Sequence, residues 1–298
     1  MSAPLQELSQ AIAQLVVAAG PHIVRVEGRR RLPATGIIFA AEGLIVTANH
    51  VVERDEGISV GLAGGASLAA TLVGRDPNTD LALLRVDAEG LTPAVWSAPS
   101  DLHVGHIVVA AGRPGVTVQA TLGIISAVGG AWRTHGGAEI EQYLQTDVAM
   151  YPGFSGGPLI TADGSFAGLN TSALLRGISL TVPAPTIARV VDILATHGHV
   201  PRPFLGVGIQ PVRLSDTLQT QTGQETGLMV MSVEAGSPAD QAGVKQGDIV
   251  LALGDHTVRH VDDLQSALAA VGLGQTAALK VARSGELRDL NVVTRRAS

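Results

Sequence analysis

A mainly β chain of two domains is predicted by three features of the 298-residue sequence: its length, its few aromatic residues beside many turn formers, and its brief aliphatic runs separated by tight-turn sequences. At roughly 100–200 residues per domain the chain is long enough for two cores. Apolar residues make up 46% and charged residues 15%, and mean hydropathy is +0.30. That composition excludes disorder of the charged, core-poor kind. With 4 Phe, 2 Trp and 2 Tyr against 36 Gly and 15 Pro, the core must be aliphatic and the turns many, which favours strands.

The elements follow in order. Leu5, Leu8, Ile12, Leu15, Val16 and Ala19 recur at helical spacing and Gly20-Pro21 stops the run, so residues 1–20 are read as an N-terminal helix. Short runs rich in Val, Ile, Leu and Thr come next, at 23–26, 36–39, 44–47, 58–62, 69–73, 81–86 and 107–111. They are broken by Glu42-Gly43, Ala63-Gly64-Gly65, Asp76-Pro77-Asn78 and Arg113-Pro114-Gly115, residues that tight turns require. Further strands are read over 118–126, 142–146, 158–161, 165–170 and 178–182, with Asp163-Gly164 as a hairpin turn. Many short strands at this spacing point to a barrel or sandwich. Ile187, Val190, Val191 and Leu194 then give a helix over 183–196, and Pro201 and Pro203 follow His197-Gly198-His199. A helix closing a β-domain before a proline-containing segment marks a boundary near 197–203. The remainder carries its own strands, a Gly236-Ser237-Pro238 turn and helices at 239–242 and 262–270.

The charge balance narrows the function. A net charge of −6 and a pI near 5.8 argue against nucleic acid as a partner, because such binders carry a strong basic excess. The cluster Arg29-Arg30-Arg31 is too short to change this. With no cysteine, disulfides, thiolate zinc sites, iron–sulfur clusters and a cysteine nucleophile drop out. The apolar stretch Ala11 to Ala19 is interrupted by Gln14, and the first positive residue is Arg25. It has neither the basic n-region of a secretory signal nor the roughly 20 apolar residues of a membrane span. The expectation is no membrane span and a cytoplasmic location, with the periplasm or cell envelope as the alternative if an export segment has been removed. His103 with His106, and His197 with His199, lack acidic or cysteine partners at ligand spacing, so no metal is expected. The stretch from Gly129-Gly130 to Gly136-Gly137 lacks a following Lys-Ser/Thr and reads as a loop, not a phosphate cradle. No cofactor is implied.

The strongest local signal is Gly153-Phe154-Ser155-Gly156-Gly157-Pro158-Leu159. A serine hydroxyl is a poor nucleophile until a base takes its proton and N–H donors meet the developing oxyanion, and flanking glycines let the backbone aim those donors. One template is the G-x-S-x-G elbow, which needs a helix after the serine and a later acid and histidine. Here a hairpin follows Ser155, and the later histidines nearby, His197 and His199, fall in the linker. The other template places histidine, aspartate and serine in that order on a β-barrel. Upstream lie His50, directly after a predicted strand, and Asp80, directly before an apolar one. The roles that follow are Ser155 as nucleophile, His50 as general base and then acid, and Asp80 as the group that orients the imidazole.

With these residues in place, the chain resembles the HtrA/Deg family of trypsin-like serine proteases over nearly its whole length. Thr47-Ala48-Asn49-His50-Val51-Val52, Asp80-Leu81-Ala82-Leu83-Leu84, and Gln145-Thr146-Asp147 leading to Gly153–Leu159 are similar to its histidine, aspartate and serine motifs. Gly168-Leu169-Asn170-Thr171 and Leu180-Thr181-Val182-Pro183 also match. The resemblance implies a chymotrypsin-like double β-barrel over 21–197, an oxyanion hole made by the N–H groups of Gly153 and Ser155, an acyl-enzyme and no cofactor. It also implies unfolded or damaged polypeptide substrates and a homo-oligomer, a trimer. Met150, Leu180 and Val182 fall where this fold lines its primary pocket, and their apolar character implies cleavage after small or medium aliphatic residues. One departure stands out: Asn is usual before the nucleophile, whereas this chain has Phe154. Phe154 either favours a resting state with an unformed hole or shapes the primed side of the cleft; the glycines on both sides favour the second.

Beyond a linker at 198–203, residues 204–298 resemble a PDZ domain, a small α/β, partly open barrel with two helices. Phe204-Leu205-Gly206-Val207 is similar to its carboxylate-binding loop, where backbone N–H groups capture a C-terminus while the ligand adds as a strand. Gly236-Ser237-Pro238-Ala239, Ala242-Gly243-Val244 and Gly247-Asp248-Ile249-Val250-Leu251 match its middle, and Asp262-Asp263-Leu264 opens the helix beside the groove. The resemblance implies binding of apolar C-terminal peptides that regulate the protease. The competing reading is a peptide-binding or chaperone-like protein with a dormant triad, and an elbow esterase stands behind it.

Overall fold

A computed structural model describes residues 3–30, 32–97, 102–134, 137–175 and 177–296. Arg31 of the basic cluster and Gly136 of the glycine-rich stretch lie outside the described residues. The chain divides into two compact units, Met1–Thr134 with Glu139–Val200, and His135–Ala138 with Pro201–Ser298.

Unit one opens with α1 (Ala3–Ala19). A first closed barrel follows, made of β1 (Ile23–Glu27), β2 (Ala34–Ala40), β3 (Leu44–Ala48), β4 (Ile58–Gly61), β5 (Ser67–Asp76) and β6 (Leu81–Val86). They run in the order β1-β2-β3-β6-β5-β4, antiparallel throughout, and β1 pairs with β4 to close the ring. Inward residues such as Ile23, Ile37, Ile45, Val60, Leu81 and Leu83 are fully buried, the filling expected of a small aliphatic barrel. A second closed barrel uses β7 (Ile107–Gly112) and β8 (Gln119–Gly129) and, after a small ladder of β9 (Trp132–Arg133) and β10 (Glu139–Ile140), β11 (Tyr143–Thr146), β12 (Pro158–Thr161), β13 (Phe166–Thr171) and β14 (Ser179–Pro183). Its order is β11-β14-β13-β12-β7-β8, and β8 pairs with β11. The helix α2 (Ala184–His197) buries Ile187, Val190, Val191 and Leu194 against β5, β6 and β13, so it lies across both barrels. Gly198 ends it at φ 74, donating its N–H to the Leu194 carbonyl, the left-handed stop glycine supplies.

Unit two joins β15 (Pro203–Phe204) to β22 (Arg295–Arg296) and builds a sheet in the order β16 (Val207–Arg213), β17 (Thr226–Val233), β18 (Ile249–Leu253), β20 (Thr276–Arg283), β21 (Glu286–Val293), with β19 (His256–Thr257) on β18. Leu228, Val230, Leu253, Leu264, Leu279 and Val292 fill its core. Beside the expected α4 (Pro238–Gln241) and α5 (Val261–Val271) stands α3 (Asp216–Thr222), which the sequence reading did not contain. Only Leu218 of α3 is buried, so the segment lacks apolar periodicity, and its caps form it: Ser215 accepts from the Leu218 N–H, and Gly223 ends it at φ 69.

One buried ion pair ties unit two together. Asp248, whose side chain is 1% exposed, accepts Arg283 Nε at 2.7 Å, Arg283 Nη2 at 2.8 Å and the Lys245 N–H at 2.8 Å. Burial alone would raise the carboxyl's pKa, but the Arg283 hydrogen bonds and charge, with the Lys245 N–H, outweigh it and hold the group below its ordinary value. A folded pKa below the unfolded value of about 3.9 means that this contribution is complete above about pH 4 and is lost as pH falls through the folded value. Asp248→Asn, which removes the charge partner of a half-buried Arg283 that keeps its bond to the Gly243 carbonyl, should therefore cost unit two about 1.5–3 kcal/mol at pH 7 and lessen its loss of stability in acid. Hydrogen-exchange protection of Ile249–Leu253 between pH 7 and 3 reads both effects; unchanged protection at pH 7 would refute the assignment.

Candidate functional site

His50 sits in a single 3-10 turn, Asn49–Val51, that begins where β3 ends. Asp80 ends the turn between β5 and β6, where Thr79 Oγ1 donates to Asp76 Oδ2 at 2.8 Å. Its backbone is left-handed, at φ 56, a conformation aspartate tolerates better than most residues. The Asp80 carbonyl accepts the Asn49 N–H at 2.9 Å, Oδ1 accepts the His50 N–H at 2.9 Å, and Oδ2 lies 2.8 Å from His50 Nδ1. Aspartate thus fixes the backbone and the ring of the histidine together. A carboxylate only accepts, so Nδ1 carries the ring proton and the Nε2 lone pair is left as a base. The Asp80 side chain is 3% exposed and that of His50 29%, which leaves the imidazole accessible above a buried charge.

The third donor to the Asp80 carboxylate is the Thr171 hydroxyl, which bonds Oδ2 from the end of β13 in the other barrel. The next residue, Ser172, places its Oγ 3.4 Å from Ser155 Oγ. Thr171 and Ser172 therefore connect the aspartate to the serine, and neither was singled out for a role from the sequence. Ser155 itself is held by its backbone: its carbonyl accepts the Thr35 N–H at 3.2 Å, and the Gly156 N–H donates to the Asn170 carbonyl at 3.0 Å. Gly156 has φ 86, and a Cβ there would overlap the Thr35 carbonyl oxygen and Thr47 Oγ1. Only glycine lets the serine loop of the second barrel approach β2 and β3 of the first so closely.

The backbone around Ser155 leaves two donors unused. The Phe154 N–H donates to the Tyr151 carbonyl at 3.0 Å and the Gly157 N–H to the Phe154 carbonyl at 2.9 Å. Among the described residues, the N–H groups of Gly153 and Ser155 have no acceptor. Gly153 is left-handed, at φ 93, the third position of a type II turn over 151–154. Phe154 corrects the expectation that it shapes the primed side of the cleft: its ring is fully buried with Leu102, Val108, Ile125, Leu144 and Leu159. The strand spacing leaves a ring-sized space beside Gly112, where a Cβ would lie 2.8 Å from Phe154 Cδ1.

Of the pocket residues, Met150 is half-buried against the Phe154 cluster and Leu180 is 2% exposed. Val182 lies in the large core with Val109, Ile160 and Leu169, so core packing accounts for it. In unit two, Leu205 is a core residue, while Phe204 and Val207 are half-buried. Gly206 has φ 79, where a Cβ would overlap Ser237. The Leu205 and Gly206 N–H groups have no acceptor among the described residues, and β16 pairs only with β17, leaving its other edge open. Among the described residues, no group of three or more His, Cys, Asp or Glu could hold a metal ion, and no helix is long and apolar enough to cross a membrane. His103 and His106 stack edge to face at 5.3 Å.

Residues 34–169 match the family model of the trypsin-like peptidase domain and residues 203–294 that of the PDZ domain. The chain is 34% identical over 277 residues to a probable periplasmic serine endoprotease, DegP-like, of Chlamydia pneumoniae, which covers 91% of this chain and 56% of the relative. To the corresponding protein of Rhizobium meliloti it is 38% identical, covering 90% and 54%. The chain thus spans about half the length of the curated relatives it matches. Among solved structures it is similar to the serine endoprotease from Yersinia pestis (30% identity, TM-score 0.71, covering 96% of this chain and 98% of that one). It is also similar to the HtrA-type protease AlgW with decapeptide (27%, TM-score 0.71, 96% and 98%). These relatives correct the expected cytoplasmic location: the curated ones are named periplasmic. That expectation read compartment from residues 1–20, but a cleavable leader is separate from the folded domains, so their composition does not report it.

Gly156→Ala should displace Ser155 and lower its labelling rate by a fluorophosphonate about 100-fold, with Asp248 and its partners in unit two unaffected. Labelling within threefold of the original chain would mean that this close approach does not position the serine.

Proposed function

The chain belongs to the HtrA/Deg family of trypsin-like serine endoproteases that carry a PDZ domain, and from that premise we propose that it cleaves unfolded or damaged polypeptides through Ser155, His50 and Asp80. The observation that carries this reading is the Asp80 carboxylate bonded to both the backbone and ring of His50, beside two unused N–H groups at the serine. In the proposed reaction the Ser155 hydroxyl leaves Ser172 for His50 Nε2 and gives it the proton as Oγ attacks the scissile carbonyl. The Gly153 and Ser155 N–H groups hold the resulting oxyanion. The imidazolium returns the proton to the leaving amine, the C–N bond breaks, and an ester to Ser155 remains. Water, deprotonated by His50, hydrolyses that ester and restores the hydroxyl.

Residues 21–197 are proposed as the protease domain and 204–298 as the PDZ domain, joined by 198–203. The unused N–H groups at Leu205 and Gly206, next to the open edge of β16, support capture of a C-terminal carboxylate with strand addition. Met150, apolar and half-buried, supports a preference for small or medium aliphatic residues, which is proposed also from the position of Leu180 in the family's fold. Assembly into a homo-oligomer, as a trimer, is proposed from the family. The dormant reading loses its suspect feature, because the Phe154 ring is turned into the core; what still favours it is the Ser155 hydroxyl lying on Ser172 and not on His50.

Degradation of reduced casein by the original chain and by Ser155→Ala, each with and without a peptide bearing an apolar C-terminus, tests the proposal. Ser155→Ala should lower kcat more than about 10³-fold, the peptide should change the rate of the original chain, and the products should end in aliphatic residues. Turnover retained by Ser155→Ala would sink the triad, cleavage after Lys or Arg the pocket, and ester turnover without peptide cleavage would restore the esterase.

A further inference from the structure

Between Gly153 and Gly157 the N–H groups of Phe154, Gly156 and Gly157 are bonded and those of Gly153 and Ser155 are free among the described residues, and one residue outside the loop accounts for much of the pattern. Thr35, on β2, is fully buried. Its hydroxyl donates to the Gly153 carbonyl at 2.6 Å and accepts the Arg113 N–H at 2.8 Å. Its own N–H donates to the Ser155 carbonyl at 3.2 Å. Its carbonyl in turn accepts Thr47 Oγ1 at 2.6 Å, so the residue does not drift. The carbonyls of both residues whose N–H groups stay unused are therefore held by Thr35, from the opposite barrel.

We propose that Thr35 is a positioning residue for the oxyanion hole, its hydroxyl fixing the Gly153–Phe154 peptide so that the Gly153 N–H stays aimed at the reacting carbonyl. This rests on the serine-protease reading above. The Phe154 N–H lies on the same rigid peptide plane as the Gly153 carbonyl. Turning that carbonyl away breaks the Phe154-to-Tyr151 hydrogen bond, which closes the turn that orients the Gly153 N–H. The buried Phe154 ring anchors one end of this peptide in the second barrel, and the Thr35 hydroxyl anchors the other to the first. Removing the hydroxyl strands a buried carbonyl and the Arg113 N–H, and a stranded buried group is costly enough to drive the peptide to a new orientation. Arg113 itself is fixed by bonds from Nη1 to the Val116 carbonyl at 2.7 Å and from Nη2 to the Gly20 carbonyl at 2.9 Å, so it is the loop peptide that turns.

Thr35→Val, nearly isosteric, and Thr35→Ser, which restores a hydroxyl, test the proposal in the full chain with an aliphatic peptide substrate and a peptide boronate that forms the tetrahedral adduct. Loss of a hole donor itself costs about 10²–10³ in kcat; loss of its support is expected to cost about tenfold or more. Thr35→Val should show that fall in kcat with KM within about twofold, and boronate affinity should fall in parallel. Thr35→Ser should recover kcat to within about threefold. A merely structural threonine would lower thermal stability without the split between kcat and KM. If Thr35→Val keeps kcat within twofold, or if KM alone rises, the proposal is overturned while the protease reading stands. If the original chain shows no Ser155-dependent hydrolysis, both are overturned together.

Discussion

A carboxylate closed off from water must be met by donors, and at Asp80 those donors come from two barrels. The His50 N–H and Nδ1 approach from the first, and the Thr171 hydroxyl from the second. Leaving such a charge unpaired would cost several kcal/mol, so β3, the β5–β6 turn and β13 are constrained to converge there. The rest of the site follows from that convergence. Ser172 is carried to Ser155 because Thr171 is carried to Asp80, and the histidine's free nitrogen faces outward because its other one faces the acid.

The second constraint is the close approach of backbone to backbone. At Gly156 there is no room for a side chain, and at Gly153 the chain is left-handed. These glycines replace side-chain packing with direct hydrogen bonds from Thr35 and Asn170 to the loop that carries the serine. A site made in this way is stiff, because each peptide unit has its partner or is a donor kept free. Stiffness is what electrostatic stabilisation requires, since donors already aimed at the developing charge need no reorganisation as it forms.

What the sequence made legible was what local pattern encodes. Apolar runs separated by Gly, Pro, Asn and Asp announced strands that the two barrels contain, and the order of His50, Asp80 and Ser155 pointed to a histidine and aspartate that are bonded to each other and to a serine linked to them through Thr171 and Ser172. What it concealed was long-range or cap-driven. Thr35 meets Gly153 across 118 positions and Thr171 meets Asp80 across 91, and a buried threonine on an apolar strand looks like any β-branched filler. The helix α3 has one buried residue and so no stripe to read. Strand β8 reaches Gly129, beyond the apolar run, since pairing with β11 sustains it through half-buried residues 127–129. Phe154 was misjudged for a related reason: its neighbours in sequence are glycines and serine, while its neighbours in space are Leu102, Val108 and Leu159.

The burial of Phe154 also bears on how a PDZ ligand acts under the proposed function. A ligand shifts an equilibrium only by its differential affinity for the two states. A hole held by core packing at Phe154 and by the Thr35 hydroxyl has little of an unformed state for a peptide to select against. Capture of an unfolded chain by its C-terminus still raises the local concentration of its peptide bonds near the serine, an effect set by tether length and not by new contacts at the hole. Under the proposed function, regulation by a PDZ ligand then falls on substrate delivery and not on a rearrangement at the hole.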